Sequence, residues 1–433
     1  MKIGIRKETQ YPSEKRAALT PQHVDKITSD GIEVLVEPAD DQRIFKNKEY
    51  ENSGAEISDN LNDCDIIFGV KEVPIDDLIP NKPFVFFSHT IKGQDYNMPL
   101  LKAVLDKKIT LMDYELVKNE EGLRIIFFGK FAGYAGMIDS LWLLGKKLLS
   151  EGLETPLASI KQATDYNLLQ DAKIAISAVG DEIKKNGLPE KLVPFISAFT
   201  GYGNVSKGAQ ELFDLLPSES IEADQLEDFI RKADFSKHKV YKVEFKEKDM
   251  YGHREGKSFN LDHFLQFPNE YDSLMQKYLP YFTLFVNGIY WENRFPRHIT
   301  KDFMKKLYRE SKGDKLKVIG DITCDIEGSV ELTVKATASD NPAYVYEPLN
   351  DIIIDGIEGN GPVILAVDKL PAELPVQASK TFGDALLPFV RRLASADYSA
   401  DYSNLEIPTE FKNAVIAHKG ELTPDFKYLE KFL

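Results

Sequence analysis

Residues 192–216 read LVPFISAFTGYGNVSKGAQELFDLL, and this stretch decides the fold. An apolar run ends at Thr200, a glycine turn follows, and an amphipathic pattern begins at Asn204. Strand, turn and helix are the order in which an open α/β sheet presents a phosphate-binding loop. Gly201 permits a tight turn out of the strand. Gly203 has no side chain, so a pyrophosphate can approach the backbone there. The amides of Asn204 and Val205 open the helix, where free N–H groups and a partial positive charge favour an anion. The usual pattern has a third glycine at the position of Ser206; here a small serine stands there and Gly208 follows two residues later. Gly201, Gly203, Asn204 and Val205 are therefore the expected dinucleotide contacts.

The strand after such a helix usually ends in an acid that holds the adenosine ribose. Glu222 lies nineteen residues after Gly203, near the expected offset of about 20. A carboxylate there argues for NAD, because it repels a 2′-phosphate.

Upstream, an alternation of apolar and charged residues at 2–6 and short apolar runs at 32–36, 66–70, 84–88 and 109–112 read as strands, with helical spacing at 20–29 and 98–105 between them. Such alternation of strand and helix implies parallel strands with crossover helices. Residues 137–149 and 172–183 read as further helices. Residues 223–313 are mixed and charged, with one clear buried strand at 282–286. Strands at 317–320 and 363–367 precede helical patterns at 378–393 and 410–417, and the final residues are expected to pack back on the first domain. The fold class is α/β: two doubly wound Rossmann-like domains with an interdomain cleft. Residues 1–132 plus 378–433 form the substrate domain, and residues 133–377 form the dinucleotide-binding domain.

The bulk properties of the 433 residues narrow the function. A net charge of −15 spread along the chain gives no concentrated basic face, which excludes nucleic acid as the main partner. No apolar run approaches the roughly 20 residues of a membrane span. Cys64 and Cys324 lack metal-ligand or redox spacing and read as reduced, buried residues, which fits the cytoplasm. No metal is expected. Small-molecule substrates are, and a homo-oligomer is compatible with everything read so far.

In the first domain, charged residues abut apolar strands. Glu14 and Arg16 precede Ala17; Lys71, with Glu72 next to it, follows the strand at 66–70; His89 ends the strand at 84–88, with Lys92 beyond; Glu115 stands nine residues before Arg124. Ligands of open parallel sheets bind beyond the carboxyl ends of strands. Lys71 and His89 lie at two consecutive ends, so both can face one crevice. A lysine at a strand end is usually solvated and a lone histidine usually structural. Their coincidence points instead to acid–base work, because imidazole titrates near neutrality and a partly desolvated lysine is readily tuned.

The strings GIRKET, EKRAALTP, GVKEVP, FFSHTIKGQDYNMPLL, GKFAGYAGMID, TGYGNVSKGAQE, VNGIYWEN and AVDKLPAELP, in this order, resemble the lysine–ketoglutarate reductase part of bifunctional aminoadipate semialdehyde synthases. More distantly the chain is similar to the lysine-forming saccharopine dehydrogenases, grouped with alanine dehydrogenase and the nucleotide-binding part of transhydrogenase. The resemblance implies reductive condensation of L-lysine with 2-oxoglutarate to saccharopine, or its reverse, with Lys71 and His89 as the acid–base pair. It further implies carboxylate binding by Arg16 and Arg124, amine contacts or tuning of Lys71 by Glu14 and Glu115, and Asp368 beside the nicotinamide. It favours NADP, against the NAD reading of Glu222. Two alternatives remain: an amino-acid dehydrogenase of the alanine dehydrogenase type, and a non-catalytic transhydrogenase-like module. The roughly 90 residues after the glycine motif, with Trp291, favour the reductase branch, and retention of Lys71 and His89 speaks against the module.

Overall fold

The computed structural model describes residues 1–11 and 13–433. The chain divides into two compact units, Met1–Phe128 with Pro375–Leu433, and Gly129–Leu374.

The first unit is built on strands β1 (Lys2–Ile5), β2 (Glu33–Val36), β3 (Glu56–Ile57), β4 (Ile66–Phe68), β5 (Pro83–Phe86) and β6 (Thr110–Asp113). All six run parallel, in the order β6-β5-β4-β1-β2-β3. The crossovers follow from local chemistry. Pro21 opens helix Pro21–Ser29 with the preset φ of a first turn, and the Thr20 carbonyl accepts the His23 and Val24 amides. Helix Pro375–Ala394 covers the same face as Pro21–Ser29, with Phe382, Leu386 and Val390 in one core with Val24 and Ile27. The chain leaves β1 in one direction through β2 and β3, then returns to build β4, β5 and β6 on the other side. The sheet therefore reverses order between β1 and β4, and such a reversal leaves a crevice beyond the strand ends.

The second unit carries β7 (Ile196–Thr200), β8 (Ser218–Ser220), β9 (Val240–Phe245), β10 (Tyr251–His253), β11 (Tyr271–Ser273), β12 (Leu284–Asn287), β13 (Val318–Asp321), β14 (Ala343–Glu347), β15 (Ile352–Asp355) and β16 (Val363–Leu365). Eight of these form one sheet in the order β15-β14-β16-β13-β12-β7-β9-β8, and β10 and β11 form a separate antiparallel pair. The reversal here lies between β7 and β12, at the glycine turn. Strands β7 and β12 are buried at every residue, as parallel strands covered on both faces must be.

Two helices meet behind that turn, and glycine makes their approach possible. A Cβ at Gly133 in helix Gly129–Ser150 would stand 2.0 Å from the Val205 carbonyl oxygen, and one at Gly208 would stand 2.4 Å from that of Lys130. Gly208 thus supplies the close packing that the usual third glycine gives. Ser206 stays buried, with its hydroxyl accepting from the Gln210 amide at 3.1 Å.

Two expectations change. The helical pattern at 410–417 is only one turn, Thr409–Lys412; β17 (Val415–His418) follows, antiparallel to β6, and β18 (Glu421–Leu422) pairs with it. The three consecutive apolar residues Val415, Ile416 and Ala417 are all fully buried, which suits a strand covered on both faces. Secondly, β9 occupies the place beside β7 that the spacing argument gave to the strand before Glu222. Among the described residues, no helix is long and apolar enough to cross a membrane. Both cysteines are free; Cys64 is buried, and Cys324 is half-buried with its thiol 2.9 Å from the Ala366 carbonyl.

Candidate functional site

At the first reversal, Glu8 joins the ends of two strands. Three residues beyond β1, its buried carboxylate accepts the Val70 amide at 2.7 Å and the Lys71 amide at 2.8 Å. This fixes the turn that carries Lys71 past β4. Burial pushes the Glu8 carboxyl up to about 7, against the pull of Arg6 and the two amides.

Lys71 is half-buried, and its ammonium charge acts on both Glu14 and Glu72. Glu72 is buried and reaches His89 beyond β5: the imidazole Nδ1 lies 2.5 Å from Oε1. Burial works to raise the Glu72 carboxyl, but the His89 hydrogen bond and charge, with Lys71, bring it below its usual value. Its other oxygen is buried without a partner among the described residues. His89 itself has φ +51°, a left-handed backbone, and its ring stacks at 12° to Phe87. The Asn97 amide holds the His89 carbonyl at 3.1 Å. Next to it, buried Asp113 accepts the Ser88 amide and hydroxyl at 2.9 and 2.5 Å. A carboxylate on Nδ1 sets the tautomer and leaves Nε2 as the working nitrogen.

The expected carboxylate-binding arginines each hold a glutamate of the same set. Arg16 grips Glu14 with Nε at 2.7 Å and a terminal nitrogen at 2.5 Å, both buried, and its guanidinium lies 4.1 Å over the Phe128 ring. Burial opposes Glu14 ionisation, yet Arg16 outweighs it and holds the carboxyl low. Exposed Arg124 reaches Glu115 at 3.1 Å. Lys92 is exposed on the loop after His89. Glu14, Lys71, Glu72 and His89 are thus one electrostatic group at the switch point. Glu8 escaped the sequence reading, and Glu72 was noted there only as a charged neighbour without a role. Glu72 adjoins Lys71, and only the fold shows that it reaches His89.

At the second reversal, no side chain caps helix Asn204–Phe213 at Gly203, so its first-turn amides take no side-chain acceptor there. A Cβ at Gly203 would meet nothing within 4 Å. Beneath the turn, buried polar side chains tie three strand ends together. The Thr200 hydroxyl donates to Asn287 at 2.8 Å, and the Asn287 amide donates to Asp321 and Ser329, each at 2.8 Å. A cavity of about 520 Å³ opens from Gly201 and Gly203 and is walled by Glu247, Phe264, Tyr290 and Arg294. Asn204 is exposed and Val205 half-buried on the first turn.

Glu222 is not on this strand end. It lies exposed beyond β8, which β9 separates from β7. The strand beside the glycine turn ends instead at Phe245, whose carbonyl accepts the Gly201 amide at 2.8 Å, and Glu247 follows. The offset counted to the first strand after the helix, and the fold places the second one there. Asp368 is exposed past β16, its amide 3.3 Å from the Thr337 carbonyl.

Residues 4–135 match the family described as Alanine dehydrogenase/PNT, N-terminal domain. Alpha-aminoadipic semialdehyde synthase of Arabidopsis thaliana is 38% identical over 99% of this chain, which spans 41% of that protein's length. Saccharopine dehydrogenase [NAD(+), L-lysine-forming] of Candida albicans is 27% identical, over 92% of this chain and 93% of the relative. Among solved structures, L-alanine dehydrogenase superposes with a TM-score of 0.63 at 16% identity, covering both chains fully; that likeness is one of fold.

Proposed function

Since the chain is a homologue of the saccharopine dehydrogenases and of part of alpha-aminoadipic semialdehyde synthase, we propose that it is an oxidoreductase joining L-lysine to 2-oxoglutarate, or running the reverse. The reading rests on one observation: Lys71 and His89 stand at the ends of neighbouring strands, with His89 hydrogen-bonded to Glu72 and the Lys71 charge acting on the same carboxylate.

In the condensing direction, the lysine ε-amine attacks the keto carbon, the carbonyl oxygen leaves as water, and the imine is reduced. A bound reduced nicotinamide supplies the hydride. Lys71, as the free amine after giving up its own proton, takes a proton from the attacking amine. His89 gives the Nε2 proton to the departing oxygen, and Glu72 stabilises the imidazolium when the ring is reprotonated. Two groups are needed because one cannot accept and donate at the same moment. The pair can exchange roles, since either group can carry a proton. Arg16 and Arg124 meet substrate carboxylates while each keeps a glutamate partner, and Lys92 adds a mobile charge at the rim. Glu115 and Glu14 orient those forks.

The dinucleotide reading rests on the uncapped helix at Gly203 and the open space around that residue. Gly201, Asn204 and Val205 complete the cradle, and the resemblance gives Asp368 a place beside the nicotinamide. The resemblance to bifunctional reductases favours NADPH, with Arg294 the cation for a 2′-phosphate. The second reading, NADH, rests on Glu247, whose carboxylate suits an unphosphorylated ribose. The two free cysteines agree with a reducing compartment such as the cytoplasm.

The test is oxidation of NADPH and of NADH, separately, with lysine plus 2-oxoglutarate and with pyruvate plus ammonia. Consumption only with the first pair is expected. Consumption only with the second transfers the chain to the alanine dehydrogenase type, and none with either removes the assignment.

A further inference from the structure

The second unit holds a cluster that neither reaction nor cofactor uses. His253 ends β10, His263 lies in helix Leu261–Gln266, and Glu270 precedes β11. One donor atom from each lies within 4.8 Å of the others. The separations are 3.3 Å from His253 Nε2 to Glu270 Oε2 and 3.9 Å from His263 Nε2 to the same oxygen. Donors around a tetrahedral zinc ion stand about 3.3 Å apart, given bonds near 2.0–2.1 Å. The His253 side chain is only 3% exposed, and its Nε2 is buried with no hydrogen-bond partner among the described residues. That nitrogen faces the Glu270 carboxylate across 3.3 Å without forming a hydrogen bond, so a cation seated between them would satisfy both groups.

We propose that His253, His263 and Glu270 bind a divalent cation of the zinc class. Two imidazoles with one carboxylate suit that class rather than magnesium or calcium. Half-exposed Glu270 and His263 leave a further position to water. The ring chemistry is ready at His263. The Tyr271 hydroxyl donates toward the Asn260 carbonyl at 3.4 Å, so its oxygen accepts the His263 Nδ1 proton at 3.1 Å, and Nε2 keeps a lone pair. His253 must change tautomer. Its Nδ1 accepts the Glu255 amide at 3.1 Å, which puts the ring proton on Nε2. On cation binding that proton moves to Nδ1 and the Glu255 amide turns to solvent. The exposed turn allows this, since Arg254, Glu255 and Gly256 are all exposed and a Cβ at Gly256, which has φ +73°, would meet no atom within 4 Å. The spacing His-x9-His-x6-Glu gives no sequence signal, because the hairpin β10-β11 alone brings residues 253 and 270 together.

The ion would pin helix Leu261–Gln266 to the hairpin. Leu261, Phe264 and Leu265 of that helix wall the cavity at Gly201–Gly203, so a pinned helix presents a finished wall. This second part rests on the dinucleotide reading above.

The experiment titrates the metal-free full chain with Zn²⁺ against a chromophoric chelator, beside His263→Gln and Glu270→Gln, both at half-exposed positions that leave folding intact. One Zn²⁺ per chain is expected, with each variant weakened at least about tenfold. No uptake by the wild type, or equal uptake by the variants, overturns the site. Fluorescence titration with NADPH and NADH then follows, with and without Zn²⁺. Severalfold tighter binding in the wild type alone supports the pinned wall, and unchanged affinity overturns it. Zn²⁺ uptake without any dinucleotide binding would sink the cofactor reading and leave the metal site standing.

Discussion

His89 Nδ1 lies 2.5 Å from Glu72 Oε1 while its own backbone sits at φ +51°. A left-handed conformation is tolerated by Asn far better than by most residues. His89→Asn therefore removes the imidazole without disturbing the chain. It should melt within a few degrees of the wild type and lose about 10²- to 10⁴-fold in kcat. Glu72→Gln keeps an acceptor for Nδ1 but not the charge that supports imidazolium, so a smaller fall, about tenfold to a hundredfold, is expected. Steady-state kinetics with lysine and 2-oxoglutarate check both; a Glu72→Gln enzyme with full kcat would remove Glu72 from the chemistry.

Arg16 and Glu14 test structure against binding. They form a buried bidentate pair, and deleting one partner strands the other charge. Arg16→Met should lose about 3–5 kcal/mol in urea unfolding. Adding Glu14→Gln should restore most of it. The Glu14 carboxyl is held low, so the pair's stabilisation is present above the ordinary carboxylate range and fades as pH falls through the lowered value. If the double variant regains stability but keeps a raised KM for a carboxylate substrate, Arg16 binds substrate directly. A normal KM leaves it a purely structural residue.

Glu8 predicts a slope of the opposite sign. Its buried carboxyl titrates at about 7 in the native chain, against 4.5 when unconstrained. Between those values the native protein holds a proton that the unfolded chain has lost. That contribution is whole below 4.5 and gone once pH passes about 7, a difference of roughly 3 kcal/mol. Urea midpoints of wild type and Glu8→Gln, compared from pH 4.5 to 8, should show the wild type's relative stability declining across this window. A constant gap between the two would mean that Glu8 stays ionised throughout.

The same residues explain what the sequence could disclose. The strands β4, β5, β7 and β12 were legible because each is a largely apolar run, and Lys71 and His89 were legible because both follow such runs directly. Glu8 was not, since nothing local says that its carboxylate turns toward amides 62 and 63 residues away. β9 was missed although VYKVEF alternates, because charged flanks at His238-Lys239 and Lys246-Glu247-Lys248 blur the period. That omission misdirected the ribose argument to Glu222. An offset from Gly203 counts residues, whereas the sheet is ordered by pairing.

Two glycines separate cofactor approach from helix packing. Gly203 has φ −75°, and a Cβ there meets no atom within 4 Å, so Gly203→Ala should fold as the wild type does. The methyl would occupy the space that a pyrophosphate needs, and the Kd for NADPH or NADH should rise at least about tenfold, the loss of one good charge-assisted contact. Gly133→Ala is the converse. Its Cβ would stand 2.0 Å from the Val205 carbonyl oxygen, a backbone atom that cannot yield without moving helix Asn204–Phe213. It should lose about 3 kcal/mol or more and disturb the first-turn amides as well. Thermal melts paired with fluorescence titration separate the cases. A Gly203→Ala protein that binds dinucleotide with wild-type affinity would show that phosphate does not approach the backbone at this turn.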